Sequence, residues 1–291
     1  MLDAIARLRR FNRIVTREIG LLDTSFLGRG RPLGAARVLQ LVSPSGSDLA
    51  DIRTALALDT GLLSRLLRGL EDEGLVTVTP HPEDRRRRVA NLTPKGLIEM
   101  RAYEALAHAR AAQVLQRAGN RVSELVAATD LIASVMLQDQ ISIRDADPDD
   151  PAAHFLVGAY FRSLADTVPV ITADLCSLPD PDAPTLRPPH GAFLIAWSDD
   201  MPIGCIAFCP LEHGIAEVKR LWVDPMARGQ GLARRLILAI EARARDTGIV
   251  RVKLAIDSGR TNAIALYRAM GWSETAPYTG LPADTWLTKP L

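Results

Sequence analysis

The chain has 291 residues, 47% hydrophobic and 24% charged, with a formal net charge of +1. This is the balance of a soluble globular protein, and at roughly 100 to 200 residues per domain it favours two cores. No apolar run approaches the roughly 20 residues that a bilayer-spanning helix needs, so no membrane partner is expected.

Charge divides unevenly along the chain. Residues 1–140 hold 20 Lys and Arg against 16 Asp and Glu, whereas residues 141–291 hold 15 against 18. The first part suits a polyanionic partner and the second an amine, although imbalances this small need local clustering to carry weight. The opening residues, MLDAIARLRRFNRIV, are charged throughout and lack the apolar stretch and cleavage site of a secretory signal, so a cytoplasmic location is expected. Cys176, Cys205 and Cys209 are too few and too unevenly placed for a disulfide framework and are expected as reduced thiols.

Residues 48–73 read as two short helices separated by a turn near Leu58–Thr60, with Asp59 or Thr60 as N-cap. That is helix-turn-helix spacing. In the second helix Leu63, Leu66, Leu67 and Leu70 form the apolar stripe, which leaves Thr60, Ser64, Arg65 and Arg68 on polar faces able to reach a groove. Gly74 then ends the helix, 75–79 reads as a strand, 80–88 as a loop and 89–93 as a return segment. Alone, Arg85, Arg86, Arg87 and Arg88 would be a solvated charged loop. At the tip of a hairpin that follows a helix-turn-helix they form a wing able to neutralise phosphates or enter a narrow minor groove. Residues 94–118 and 120–139 read as two long amphipathic helices, surplus surface of the kind that forms dimer interfaces.

The segments SRLLRGLEDEGLV and PEDRRRRVANLTPKG resemble the helix and wing of MarR-family transcriptional regulators, with Asp84 and Arg86 matching the wing pattern. The resemblance covers residues 1–140. It implies a homodimer joined through its terminal helices that binds double-stranded DNA at a pseudopalindromic operator.

Texture changes at ISIRDADPDDP, residues 141–151, and a second domain is expected over 141–291. The Pro-rich, acidic stretch 178–191 reads as an irregular loop; bordering the acceptor cleft is one reading of its acidity, ordinary solvation the other. Residues 190–197, 202–209 and 215–223 read as three consecutive antiparallel strands. The third runs into DPMARGQGLARRLILAIEARARDTG, a glycine loop opening a long helix. Gly229 and Gly231 allow close backbone approach, the first N–H groups of the helix are free, and Arg228 and Arg234, with Arg235 as a further candidate, add charge: together a phosphate site.

The run Arg228, Gly229, Gln230, Gly231, Leu232, Ala233, followed about thirty residues later by TNAIALYRAMGW with Asn262 and Tyr267, resembles the GNAT-family N-acetyltransferases. The resemblance is firm over 190–276 and loose over 141–189. It implies an α/β fold with a mixed, largely antiparallel sheet, and acetyl-CoA as co-substrate. The pantetheine is expected between diverging strands 215–223 and 250–256 along Leu221, Trp222 and Val223, the pyrophosphate at 228–233, and the acceptor as a small-molecule or protein amine. It also implies Glu217 as general base, the alternative being a surface strand carboxylate, and Tyr267 as acid for the departing thiolate, the alternative being a packed core aromatic. Asn262 is expected to organise the loop or contact the cofactor.

Cys205, Cys209 and His213 are spaced by four, but on strands they do not converge and no fourth ligand is near, so no metal is expected. The combined expectation is a mainly α winged helix-turn-helix domain fused to an acetyltransferase that acts by direct attack of the amine. The alternatives are a transcription factor whose acetyltransferase-like domain only senses acetyl-CoA or an amine, and an enzyme whose first domain serves only to dimerise.

Overall fold

Helix starts in the amino-terminal part are set by short polar side chains. The computed structural model describes residues 3–84, 86–165, 178–279 and 283–291. Arg85 of the wing and Cys176 lie outside the described residues. Chain contacts divide into two units, Met1–Val122 and Ser123–Leu291.

The first unit holds α1 (Ala4–Glu18), α2 (Leu33–Leu41), α3 (Leu49–Ala55), α4 (Thr60–Asp72) and α5 (Pro94–Ala118). They combine with β1 (Ser47–Asp48), β2 (Val76–Pro80) and β3 (Arg88–Leu92) in the sheet order β1-β3-β2. Asp48 caps α3 by accepting from the Ala50 amide at 2.7 Å, Asp59 caps α4 through Leu62 at 2.9 Å, and Thr93 caps α5 through Gly96 at 3.0 Å. Each cap satisfies an amide that the first helical turn leaves without a partner. At Gly96 a Cβ would stand 1.9 Å from the Leu75 carbonyl oxygen, so only glycine lets α5 pass so close to the start of the wing.

Leu63, Leu67 and Leu70 are buried with Val38, Leu39, Ile52, Leu75, Ala90 and Tyr103, whereas Leu66 is only partly covered. Truncating Leu70 to alanine in such a core costs about 2–5 kcal/mol. This is the winged helix-turn-helix expected from the sequence, with both wing strands displaced by one residue. Beyond the Val76–Leu92 pair the Thr93 amide still donates to Leu75 O at 3.0 Å, but the Leu75 amide is turned to Leu70 O at 2.9 Å, so the two residues share a single backbone bond rather than a ladder pair.

In the second unit, α6 (Val122–Leu137) is followed by β4 (Ser142–Asp145), α7 (Pro151–Ala165), β5 (Ala192–Ser198), β6 (Met201–Glu212) and β7 (Ile215–Val223). Then come α8 (Leu232–Asp246), β8 (Arg251–Ile256), α9 (Thr261–Ala269), β9 (Ser273–Glu274) and β10 (Thr285–Pro290). The seven strands lie in the order β4-β5-β6-β7-β8-β10-β9. Every pairing is antiparallel except β7 with β8, giving the mixed, largely antiparallel sheet that the family resemblance implied.

Strands β5 and β6 are covered on both faces, which is why they read as near-continuous apolar runs. Leu194, Ala196, Ile206 and Phe208 face a core shared with Leu232, Leu236, Ile237 and Ile240 of α8. Their neighbours Phe193, Ile195, Cys205, Ala207 and Cys209 face a second core with Ala153, Leu156, Val157 and Phe161 of α7.

Strand β7 carries two irregularities. Its parallel ladder with β8 covers only Ile215–Arg251, Ala216–Val252 and Glu217–Lys253, after which the pairing stops. Against β6 its register slips: Lys219 pairs with Ala207 and Trp222 with Cys205, so three steps on β7 match two on β6, and Arg220 and Leu221 fall outside the ladder. That is a β-bulge, which leaves an unpaired residue and bends the strand.

Candidate active site and nucleic-acid interface

Beyond Glu217 the β8-facing edge of β7 has no partner strand among the described residues, so Leu221, Trp222 and Val223 border an opening in the middle of the sheet. From Val223 a short turn leads to Arg228, whose Nε donates to Val223 O at 3.0 Å and folds the loop back toward the strand end. Gly229 and Gly231 come next, at φ 77° and 76°. Gly231 is the N-cap of α8 and supplies no side chain, so the first amides of the helix keep their hydrogen-bonding capacity for a ligand.

The residues of this loop fit an anionic ligand. No Cβ clash surrounds either glycine, so backbone conformation is what calls for them. Gln230 Oε1 is buried with no hydrogen-bond partner among the described residues. Arg234 is exposed and Ala233 half-buried, while the Leu232 side chain is in the core, so Leu232 can offer only its backbone. Arg235 is spent elsewhere: its guanidinium donates to Gln138 O and Ile141 O at 3.2 and 2.6 Å. That removes it from the phosphate-binding candidates.

Glu217 is 5% exposed, not the surface strand carboxylate of the alternative reading. Its Oε1 accepts from the Tyr278 hydroxyl at 2.9 Å, and its Oε2 lies 3.2 Å from Lys219 Nζ. Lys219 also donates to Asp182 at 2.9 Å, and Asp182 accepts from Arg220 at 2.9 Å. Arg220 makes two further bonds of 2.7 Å to the carboxylate of Asp180. Burial, followed by the adjacent Glu217 charge, holds the Tyr278 phenol far above its ordinary value, so it stays a proton donor.

Tyr267 is 4% exposed and packs edge-on against Trp272 with ring centroids 5.1 Å apart. Burial keeps its phenol protonated. It is therefore a packed core aromatic that also retains a proton to give. Asn262, in the first turn of α9, is exposed. Burial pushes the Cys205 thiol up to about 12 and raises Cys209, which makes both poor nucleophiles. Among the described residues no group of three or more His, Cys, Asp or Glu could hold a metal ion.

In the first unit Thr60, Ser64, Arg65 and Arg68 are all exposed on α4. Two of them are engaged locally, Ser64 Oγ donating to Thr60 O at 2.8 Å and Thr60 Oγ1 accepting from Arg53 at 3.3 Å. The wing tip is built on Asp84, which accepts from the Arg86 amide through its side chain and from the Arg87 amide through its carbonyl, each at 2.9 Å. Arg87 is tied to Asp48 at 2.7 Å. Arg65, Arg68, Arg86 and Arg88 have no ion-pair partner among the described residues.

Several of these groups escape sequence reasoning. Nothing local marks Tyr278, Lys219, Arg220, Asp180 or Asp182 as functional, and ordinary solvation is one of the two readings of the acidity of the 178–191 stretch. Instead of being solvated, Asp180 is 3% exposed and ion-paired. The available signal was two adjacent cations, Lys219 and Arg220, inside an otherwise buried strand, because buried charges require partners.

The acetyltransferase (GNAT) family profile matches residues 160–272, and the MarR family profile matches residues 29–87. The IAA acetyltransferase of Azospirillum brasilense is 33% identical over 155 residues, 52% of this chain and 98% of that protein. The mycothiol acetyltransferase of Renibacterium salmoninarum is 27% identical over 229 residues, 70% of this chain and 66% of that protein. Among solved structures, PaiA N-acetyltransferase from Thermoplasma acidophilum in complex with coenzyme A is 17% identical at a TM-score of 0.44, covering 52% of this chain and 99% of that one.

Proposed function

Because the chain belongs to the GNAT acetyltransferase family and carries a MarR-family region, we propose that it is bifunctional, a DNA-binding transcriptional regulator that also moves an acetyl group from acetyl-CoA to an amine by direct attack. Residues 1–140 are assigned to the regulator and 141–291 to the transferase, acting in the cytoplasm. The observation that carries the enzymatic reading is Glu217, a buried carboxylate at the last paired position before β7 and β8 separate.

Bound acetyl-CoA supplies the thioester carbonyl. Arg228, Arg234 and the backbone of Gly229–Ala233 hold its pyrophosphate at the positive end of α8, Leu221, Trp222 and Val223 line its pantetheine arm, and Asn262 steadies the far side. Glu217 takes the proton that the acceptor ammonium must lose before it can attack. A backbone amide of the bulged β7 segment polarises the acyl oxygen, and Tyr267, kept protonated by burial, donates to the departing sulfur.

Thr60, Ser64, Arg65 and Arg68 are assigned to the major groove of a pseudopalindromic operator and Arg85, Arg86, Arg87 and Arg88 to phosphates or the minor groove. Homodimerisation is supported by α1, which buries none of its residues and leaves Ile5, Leu8, Phe11 and Ile14 uncovered at helical spacing.

The test is CoA release from acetyl-CoA across amines, amino acids and basic peptides, with the acetylated product identified by mass. Amine-dependent release supports the enzyme. Tight acetyl-CoA binding without turnover on any amine would overturn it in favour of a sensor.

A further inference from the structure

We propose that Arg220 is a positioning residue: clamped by Asp180 and Asp182, its side chain holds β7 in the bulged conformation that lifts Arg220 and Leu221 out of the sheet beside the transfer centre. The inference rests on the reading that this segment receives the thioester carbonyl.

The starting observation is backbone strain. Arg220 has φ 59°, a left-handed conformation that costs free energy in any residue with a Cβ and persists only where the surroundings over-determine it. Glycine would take the same angle freely. The bulge has an arginine instead, and that arginine is held from three sides. The 178–186 segment gives the carboxylates, with bonds of 2.7 and 2.7 Å to Asp180 and 2.9 Å to Asp182. From α7 come the Phe161 and Tyr160 rings, their centroids 5.0 and 5.8 Å from the guanidinium carbon. Strand β6 gives the Cys205 thiol, donating to Arg220 O at 3.2 Å.

The guanidinium fork suits this task because its planar geometry meets a carboxylate through two parallel bonds and lies flat on aromatic faces. The Arg220 side chain is 10% exposed and that of Asp180 1% exposed, so water competes little for either. Asp182 joins the clamp to Lys219, and Lys219 to Glu217. One loop thereby fixes both the segment that receives the acyl oxygen and the surroundings of the base.

The test compares two double variants in the full chain, both removing the buried charge pair. In Arg220→Ala/Asp180→Asn the left-handed angle is disfavoured, whereas in Arg220→Gly/Asp180→Asn it is free. The alanine form is expected to lose about 100-fold in kcat, the scale of a lost oxyanion donor, while its KM for acetyl-CoA stays near wild type. The glycine form is expected to recover a large part of that loss. Equal impairment of the two forms, or wild-type kcat in the alanine form, would overturn the proposal, since a packing role does not distinguish alanine from glycine this way. Amide exchange over 218–224, expected to be faster in the alanine form than in wild type, reads the clamp without turnover. If wild type acetylates no amine, the enzymatic reading fails alone, and equal exchange in both proteins would overturn the clamp.

Discussion

Tyr278 donates its hydroxyl hydrogen to Glu217 Oε1 over 2.9 Å, although 61 residues separate the two in the chain. A hydrogen bond to a carboxylate is among the stronger neutral-to-charged contacts, contributing about 1.5–3 kcal/mol. This one orients the proposed base from the segment between β9 and β10. Tyr278→Phe is therefore expected to lower kcat/KM for the amine by about tenfold while leaving KM for acetyl-CoA unchanged, because a loss of about 1.4 kcal/mol is one decade. Steady-state kinetics with each substrate varied in turn provides the check, and an equal effect on both substrates would argue against an orienting role.

The glycine loop makes a prediction about the other substrate. Gly231 stands at φ 76° with nothing within 4 Å of where a Cβ would sit, so Gly231→Ala acts through backbone conformation alone. The left-handed penalty of about 1–2 kcal/mol per residue should open the loop and raise the dissociation constant of CoA by about tenfold. Calorimetric titration with CoA measures it, and unchanged affinity would remove the loop from the pyrophosphate site.

Acid stability of the first unit depends on Glu99. Its hydrogen bond from Arg29, reinforced by Arg31, holds the carboxyl below its ordinary value of 4.5. A depressed carboxylate contributes stability that is fully present above its unfolded pKa and is lost as pH falls through the folded one. Glu99→Gln should therefore unfold more easily than wild type at neutral pH, and the gap should close as pH drops below about 4.5 toward the folded value. Denaturant midpoints across pH track this, and a gap that stayed constant would contradict the assignment.

For the proposed nucleic-acid face, Arg65 and Arg86 have no carboxylate partner among the described residues to leave before meeting a phosphate. Arg65→Ala and Arg86→Ala should each weaken binding to duplex DNA and reduce the slope of log affinity against log salt by about one where the contact is to a phosphate. Arg87→Ala should differ by also freeing Asp48, which caps α3. Fluorescence anisotropy over a salt series separates the three, and slopes identical to wild type would leave the wing without a phosphate role.

What was legible in the sequence was what is decided locally. A helix start at Asp59 or Thr60, the leucine stripe of α4, the wing hairpin and the glycine loop opening α8 all depend on residues close to one another in the chain. Glu217 was legible as a position on a strand, but not as a buried group. Its surroundings are non-local, since Tyr278 lies 61 residues away and Arg220 reaches Asp180 and Asp182 across 40 and 38 residues. No periodicity encodes such pairings. The bulge on β7 was hidden for a related reason: IAEVKRLWV reads as one uninterrupted strand, and the slip shows only against the register of β6.

The most direct test of the central claim is the rate of amine acetylation by Glu217→Gln, measured at saturating acetyl-CoA beside wild type. Loss of a general base predicts a fall of about 10²–10⁴-fold in kcat/KM for the amine, with acetyl-CoA affinity unchanged. A Glu217→Gln protein that acetylates the amine at the wild-type rate would contradict the account.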